Sequence, residues 1–480
     1  MRKKILLINP RKGWRPALGL LYVASYLRRA QHEVKIIEFI DEDFNTRKNK
    51  KLWEELYIFD PDFIGLGVIS WNRKVASRII KKVRETTKDK IIICGGKDPS
   101  FSPEKYLSYS ADVVVIGEGE ETAVELINAY DSSKTLEDIK GIAFLKERKV
   151  FQTSRREPKD LYNLLYPAVD LVDYVHYTNI KLGGIPGHFI KTGFLMANRG
   201  CPFRCKFCTE PIRNVYRERP IGEIIDEIKW QIDRYKIKGL VLLDDLFYFT
   251  DRRVTEFCEG LLKEKIKLKI YAQTRVDKVG SKETLKLMKE AGFMQLALGV
   301  ESGSPRMLID MNKGITIEQV KTAIKAINDA GIYTYIFLII GLPGETKRDM
   351  DQTVELLKEV KPTFVTVNYY MPMPGTSYYN EQDGEMLDDL SFSLTENPNF
   401  RSTLSRNELL YYRSKFLSLG QKNANLNLFT YPRFSLFLLE MLVFRPYVLL
   451  RQLYTQKTKK SYTNYFEALK VAMINHRICG

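Results

Sequence analysis

Apolar and polar residues follow two successive patterns along this chain. In residues 1–130 short apolar runs alternate with helical spacing. Ile5–Ile8 is an apolar run stopped by Asn9-Pro10, Leu18–Leu27 has helical spacing, and Glu33–Glu38 alternates. Phe63–Ile69, Ile91–Cys94 and Val113–Ile116 read as buried strands, the last two closed by Gly95-Gly96 and Gly117. Lys/Arg-rich helical segments separate them. Strands joined by crossover helices predict a doubly wound parallel sheet, a Rossmann-like α/β domain over residues 1–135. Such sheets bind ligands outside the carboxyl ends of their strands. Those ends carry Gly19, Ser70, Gly95, Gly96 and the run Gly117, Glu118, Gly119, which are the candidate cofactor contacts. A glycine also ends a strand for no other reason, so each alone says little.

Residues 136–188 read as a connector, with a hairpin signal at Gly141–Leu145 and Lys149–Gln152. From residue 189 the strand–helix alternation resumes. Gly193–Met196, Leu240–Leu243, Lys269–Ala272, Gln295–Leu298, Thr334–Ile340 and Phe364–Val367 are the expected strands. Six strands with amphipathic helices between them predict a full or partial β/α barrel over residues 189–400, with its chemistry at the C-terminal strand ends. Residues 401–480 form a helical, basic, aromatic C-terminal region.

Length and composition fit this partition: 480 residues, 44% hydrophobic and 28% charged, describe a folded chain of several domains. The net charge of +16 suggests an acidic partner until it is located. Residues 401–480 hold 13 Lys/Arg and 3 Asp/Glu, whereas the other 400 residues hold 62 and 56. The basicity is local, and no nucleic-acid module accompanies it. Phe434–Leu439 and Met441–Phe444 are split by Glu440 and stopped by Arg445, short of the ~20 residues a spanning helix needs. The tail reads as a helical cap or as interfacial helices with possible peripheral membrane contact. The basic start before Ile5 lacks the apolar run and cleavage site of a leader, so a cytoplasmic chain is expected.

Six cysteines are too few for a disulfide scaffold. Cys94 and Cys258 read as buried small hydrophobes. Of the four histidines, His32 reads as a surface residue in a turn, and His188 could reach the mouth of the second domain. The other chemistry lies in Cys201-Pro-Phe-Arg-Cys205-Lys-Phe207-Cys208, directly after the first barrel strand. Three thiolates on so short a loop can hold one face of an iron–sulfur cube and leave one iron open. A structural zinc site is the competing reading, with His188 as the fourth ligand.

The spacing Cys201-x3-Cys205-x2-Cys208, with Phe207 before the last cysteine, resembles the cluster motif of the radical S-adenosylmethionine (SAM) superfamily. Leu242–Phe247, Gln273–Asp277, Gly299–Ser304, Ile339–Thr346 and Pro372–Thr376 agree with the segments that end its later strands. The resemblance implies a [4Fe–4S] cluster on the three cysteines and a SAM site. Phe207 and Gly341 would lie near adenine, and Glu301, Ser302, Asp244 and Arg275 would be the polar contacts. Residues 16–22, 30–34, 61–65 and 95–104, with Gly117–Glu120, resemble the cobalamin-binding domain fused to many of these enzymes. Two features depart from that pattern. The Asp-x-His-x-x-Gly loop that supplies a cobalt ligand elsewhere is absent, and Asp98 stands where the family commonly has histidine.

The implied function is an enzyme that cleaves SAM to a 5′-deoxyadenosyl radical. It would methylate an unactivated carbon or phosphorus of a small-molecule or lipid substrate, with flavodoxin or ferredoxin as electron donor. A radical cyclase or ring-rearranging enzyme is the alternative. A non-catalytic cobalamin or metal sensor fits poorly, because every SAM-binding segment is present.

Overall fold

The computed structural model describes residues 1–39, 46–179, 190–209, 215–380, 383 and 401–423. The chain divides into two compact units. The first is built from Met1–Tyr177, Asn198–Glu227 and a segment that starts at Met371; the second holds Thr178–Ala197, Ile228–Tyr370 and the described C-terminal helix.

The sheet of the first unit contains β1 (Lys4–Asn9), β2 (Glu33–Glu38), β3 (Phe63–Gly67), β4 (Ile91–Gly95), β5 (Val113–Val115), β6 (Ile142–Lys146) and β7 (Lys149–Gln152). Their order is β2-β1-β3-β4-β5-β6-β7. The first five are parallel, as the alternation predicts, with Ile5 beside both Val34 and Phe63. β6 and β7 are antiparallel, so the hairpin read as part of a connector instead extends this sheet. The cause is burial: Ile142, Ala143 and Phe144 cover the edge that β5 would otherwise expose, and the exposed β7 takes over as the edge.

Helices α1 (Leu18–Arg29), α2 (Arg47–Phe59), α3 (Arg73–Thr86), α4 (Lys97–Phe101), α5 (Pro103–Ser108), α6 (Glu120–Ala129) and α7 (Tyr174–Thr178) complete the unit. In α3 the apolar positions Val75, Ala76, Ile79, Ile80 and Val83 are the buried stripe, packed with Leu66, Ile92 and Cys94 of the sheet. His32 is not on the surface. It is buried, its Nδ1 accepts the Lys3 amide at 3.3 Å, and Nε2 lies 3.1 Å from Asn128 Oδ1. The tight turn from α1 into β2 folds it under the strand, satisfying both ring nitrogens.

The second unit is a six-stranded, all-parallel sheet of β8 (Thr192–Leu195), β11 (Gly239–Leu242), β12 (Lys269–Arg275), β13 (Phe293–Glu301), β14 (Tyr333–Ile340) and β15 (Phe364–Tyr369). The order β15-β14-β13-β12-β11-β8 makes it a partial barrel, open between β8 and β15 among the described residues. β9 (Asn198–Arg199) and β10 (Arg217–Glu218) form a short antiparallel ladder of the first unit. Between the strands run α8 (Ile221–Tyr235), α9 (Asp251–Lys263), α10 (Lys282–Glu290), α11 (Pro305–Asp310), α12 (Ile317–Asp329) and α13 (Lys347–Val360). Thr316 and Thr346 start α12 and α13 with reciprocal capping boxes through Gln319 and Asp349. α14 (Arg406–Asn423) buries Leu409, Tyr412 and Phe416, and its Tyr412 hydroxyl donates to Asp351 at 2.9 Å. The rest of the tail, His188 and Cys479 lie outside the described residues. Among the described residues no helix is long and apolar enough to cross a membrane.

Candidate cofactor sites

In the first unit the expected contacts do gather at the C-terminal strand ends. Gly19 lies in the first turn of α1, Ser70 follows β3, Gly95 and Gly96 end β4, and Gly117-Glu118-Gly119 follow β5. A Cβ added at Gly19 or Gly117 would meet no atom of the described residues within 4 Å. Gly96 is different. Its φ is +115°, and a Cβ there would fall 2.3 Å from the Val68 carbonyl oxygen. Only glycine lets the β4 loop hug the end of β3 this closely.

Asp98 does not stand free where histidine was expected. Its carboxylate is buried and accepts from Arg73 Nε at 2.7 Å, Arg73 Nη2 at 2.9 Å and Ser70 Oγ at 2.5 Å. The Tyr106 hydroxyl also donates to it.

The cysteine loop is tied down at both ends. β9 and β10 pair Arg199 with Arg217 and close the loop's base. Arg199 Nη1 lies 3.0 Å and Arg217 Nη2 2.7 Å from the same Glu118 Oε1, and Arg199 Nη2 reaches Glu120 at 2.6 Å. Burial alone would push the Glu118 carboxyl up, but Arg217 and Arg199 outweigh it and hold it below its usual range. The Arg199 guanidinium also sits 5.0 Å from the Tyr22 ring of α1. Beyond β10, Arg219 and Glu227 form an ion pair at 2.7 Å with both side chains fully buried. Between these anchors Cys205 is buried, while Cys201, Cys208 and Phe207 are partly exposed. None of the three cysteines is in a disulfide. Among the described residues they are not drawn into a three-ligand group, so the loop offers the donors without a preformed cage. The donor set itself, three thiols and no carboxylate, suits an iron–sulfur cluster.

The segment after β15 rejoins this unit. The Ser377 amide donates to Lys206 O of the cysteine loop at 2.9 Å, and Lys206 Nζ lies 5.8 Å from the Tyr378 ring centroid. Gly375 abuts Phe101 of α4: a Cβ there would come within 2.4 Å of the ring.

The second unit places Asp244, Arg275, Glu301, Ser302 and Gly341 at its own C-terminal strand ends, all buried. Two of them share one network. Glu301 pairs with Lys313 at 2.8 Å, and Arg275 Nη2 donates to the Lys313 carbonyl at 2.7 Å while its Nε binds Asp277. Glu301 adopts φ +68°, in the left-handed region, where the β13–β14 register shifts. A non-glycine residue held there is strained, as functional strand ends often are. Lys313 escaped the sequence reading because it lies outside any strand end; its signal is the Asn-Lys-Gly turn before α12. Asp244 is buried at the end of β11, and Ser302 Oγ accepts the Ser304 amide at 3.1 Å.

Gly341 begins a loop organised by a carboxyl group. Glu345 Oε2 accepts the amides of Gly341 at 2.6 Å and Leu342 at 3.3 Å. Burial pushes this carboxyl up to about 8 from 4.5, against the lowering effect of the two amides. The folded state therefore holds a proton that the unfolded chain has released above pH ~4.5. Stability from this site is full below that pH and is lost as pH rises through about 8. Urea midpoints are expected to fall between pH ~5 and ~8 in the wild type and to flatten in Glu345→Gln. Parallel profiles for the two proteins would refute the assignment.

The comparisons agree with both halves. The radical SAM superfamily matches residues 196–357 and the B12 binding domain matches residues 5–127. An uncharacterized methyltransferase of Pyrococcus horikoshii is 30% identical over 370 residues, 75% of this chain and 77% of that protein. The anaerobic magnesium-protoporphyrin IX monomethyl ester cyclase of Cereibacter sphaeroides is 28% identical over 409 residues, 83% of this chain and 65% of the cyclase. The solved structure of the cobalamin-dependent SAM radical enzyme OxsB, with aqua-cobalamin and SAM bound, matches with a TM-score of 0.66 at 20% identity. That match covers 99% of this chain and 71% of OxsB and is a likeness of fold. A matched B12 binding domain, a three-cysteine loop within the matched radical SAM region and a relative matched over three quarters of the chain lead to one conclusion: this protein belongs to the cobalamin-binding radical SAM enzymes, which work with a [4Fe–4S] cluster, SAM and cobalamin.

Proposed function

We propose that this enzyme transfers a methyl group to an unactivated carbon or phosphorus of a small molecule or lipid. The match to the Pyrococcus methyltransferase over 75% of the chain carries this reading. When bound, the cluster and SAM would supply a 5′-deoxyadenosyl radical and the cobalamin a transferable methyl group.

The chain's own residues supply position and shielding. Cys201, Cys205 and Cys208 would hold the cluster. Glu118, Arg199 and Arg217 fix the ends of their loop. Glu301 and Ser302 would bind the polar part of SAM, with Lys313 and Arg275 setting the Glu301 carboxylate. Asp244 would add a polar contact, and Phe207 and Gly341 would flank the adenine. Gly19, Ser70, Gly95, Gly96, Gly117 and Gly119 would border the cobalamin. An electron donor of the flavodoxin or ferredoxin class would reduce the cluster. The basic tail's contact with lipid rests on its sequence alone, since it lies outside the described residues.

The second reading, radical cyclisation, is favoured by the similarity to the protoporphyrin ester cyclase. One experiment separates them. The reconstituted, reduced enzyme is incubated with methyl-deuterated SAM and either a cell lipid extract or a metabolite pool. A product carrying a deuterated methyl group, with 5′-deoxyadenosine formed, is the expected result. Unlabelled product with 5′-deoxyadenosine would assign the enzyme to the cyclases.

A further inference from the structure

We propose that Trp71, with Ile69 beside it, is the apolar platform on which the corrin ring of cobalamin rests, and that the buried Asp98–Arg73 pair positions it. This rests on cobalamin as cofactor but not on the reaction being methyl transfer.

β3 is the middle strand of the five parallel ones, and the turn that follows it is Ile69-Ser70-Trp71-Asn72. Ile69 is 41% and Trp71 44% exposed, and on the loop after the neighbouring β1 Trp14 is 53% exposed. Large apolar side chains scattered singly need no explanation, but here they stand on adjacent strand-end loops of a ligand-binding edge. The turn that carries them is rigid. The Ile69 amide donates to Asn72 Oδ1 at 3.0 Å, and Ser70 Oγ donates to Asp98 Oδ1 at 2.5 Å. Arg73, the next residue, grips both oxygens of Asp98 and is itself fully buried. An exposed indole on a locked turn is preorganised to stack against a flat macrocycle, so little ordering cost remains at binding.

The same geometry removes Asp98 as a cobalt ligand, because its oxygens are turned into the protein and occupied by donors. The loops that follow β1, β3, β4 and β5 contain no histidine. His32 lies at the opposite edge of the sheet, next to Lys3 at the start of β1. The exposed His176 of α7 is the remaining described imidazole. Its neighbour Tyr177 donates to Glu38, at the end of the edge strand β2, at 2.5 Å. Among the described residues these strand-end loops thus offer the corrin an aromatic surface and no imidazole.

The test titrates full-length protein with hydroxocobalamin, reading quenching of tryptophan fluorescence, then records the EPR spectrum after reduction to cob(II)alamin. Trp71→Ala is expected to weaken binding about tenfold and Trp71→Phe only about two- to threefold. Neither change should alter iron and sulfide content after cluster loading, which controls for folding. The EPR spectrum of the wild type should lack imidazole nitrogen splitting. Asp98→Asn should also weaken binding, although its side chain does not face the ligand. Equal affinity of Trp71→Ala and wild type would overturn the proposal, as would imidazole splitting that disappears in His176→Ala. A wild type that binds no cobalamin would overturn the cofactor itself, a different failure.

Discussion

Cys205→Ala protein, reconstituted without oxygen, is expected to take up no [4Fe–4S] cluster and to form no 5′-deoxyadenosine from SAM. Three thiolates are the minimum that leaves one iron open and still holds the cube, so any one replacement removes the site rather than weakening it. Cys201→Ala and Cys208→Ala should behave alike. The fold should survive, because the loop is fixed by the β9–β10 ladder and by the arginines on Glu118, not by the cysteines. The internal control is Cys258→Ala. Cys258 is buried within α9 rather than in the cysteine loop, and burial pushes its thiol up to about 12. Iron content, the visible absorption of the cluster and 5′-deoxyadenosine yield decide the matter. A full cluster in the Cys205 variant, or its loss in the Cys258 variant, would contradict the assignment.

Glu227→Gln should cost about 3–5 kcal/mol of stability, the largest single effect expected outside the cysteines. Arg219 and Glu227 are both fully buried, 2.7 Å apart. Gln keeps the shape but removes the carboxylate charge that pairs with a fully buried guanidinium. The loss reaches function because Arg219 lies just past β10, the strand that closes the cysteine loop. Thermal melting should show a lowered transition, and cluster loading should fall with it. The double variant Arg219→Met/Glu227→Leu should recover most of the stability, since an apolar pair of similar volume replaces a buried ion pair at little cost. If Glu227→Gln melts with the wild type, the pair is not the anchor inferred from its geometry.

The strands of both sheets are legible in the sequence because parallel strands buried on both faces are continuous apolar runs. Ile5–Ile8, Ile91–Cys94 and Leu240–Leu243 can hardly be anything else. The cysteine loop is legible because its chemistry is written in consecutive residues. What escapes is whatever depends on partners far apart in the chain. Arg217 and Glu118 are 99 residues apart, and nothing local marks either as half of a clamp. Glu118 reads as a cofactor contact from its glycine neighbours, yet its carboxylate is engaged by arginines. Asp98 reads as a defective histidine position until Arg73 is seen against it. The hairpin reads as a connector because its own sequence cannot say which edge it will cover. His32 reads as exposed because a histidine in a turn usually is.

The footing of the cysteine loop also sets a timetable for synthesis. Glu118 and Glu120 leave the ribosome well before the cysteines, so a folded N-terminal sheet can receive Arg199 and Arg217 as they emerge. Ser377, which grips Lys206 inside the loop, is made only after the whole second sheet. A nascent chain therefore displays its three thiols, anchored at the base but not yet braced within, for the time needed to translate more than a hundred and fifty residues. Until Ser377 is made, the β9–β10 ladder and the arginines on Glu118 are the loop's footing.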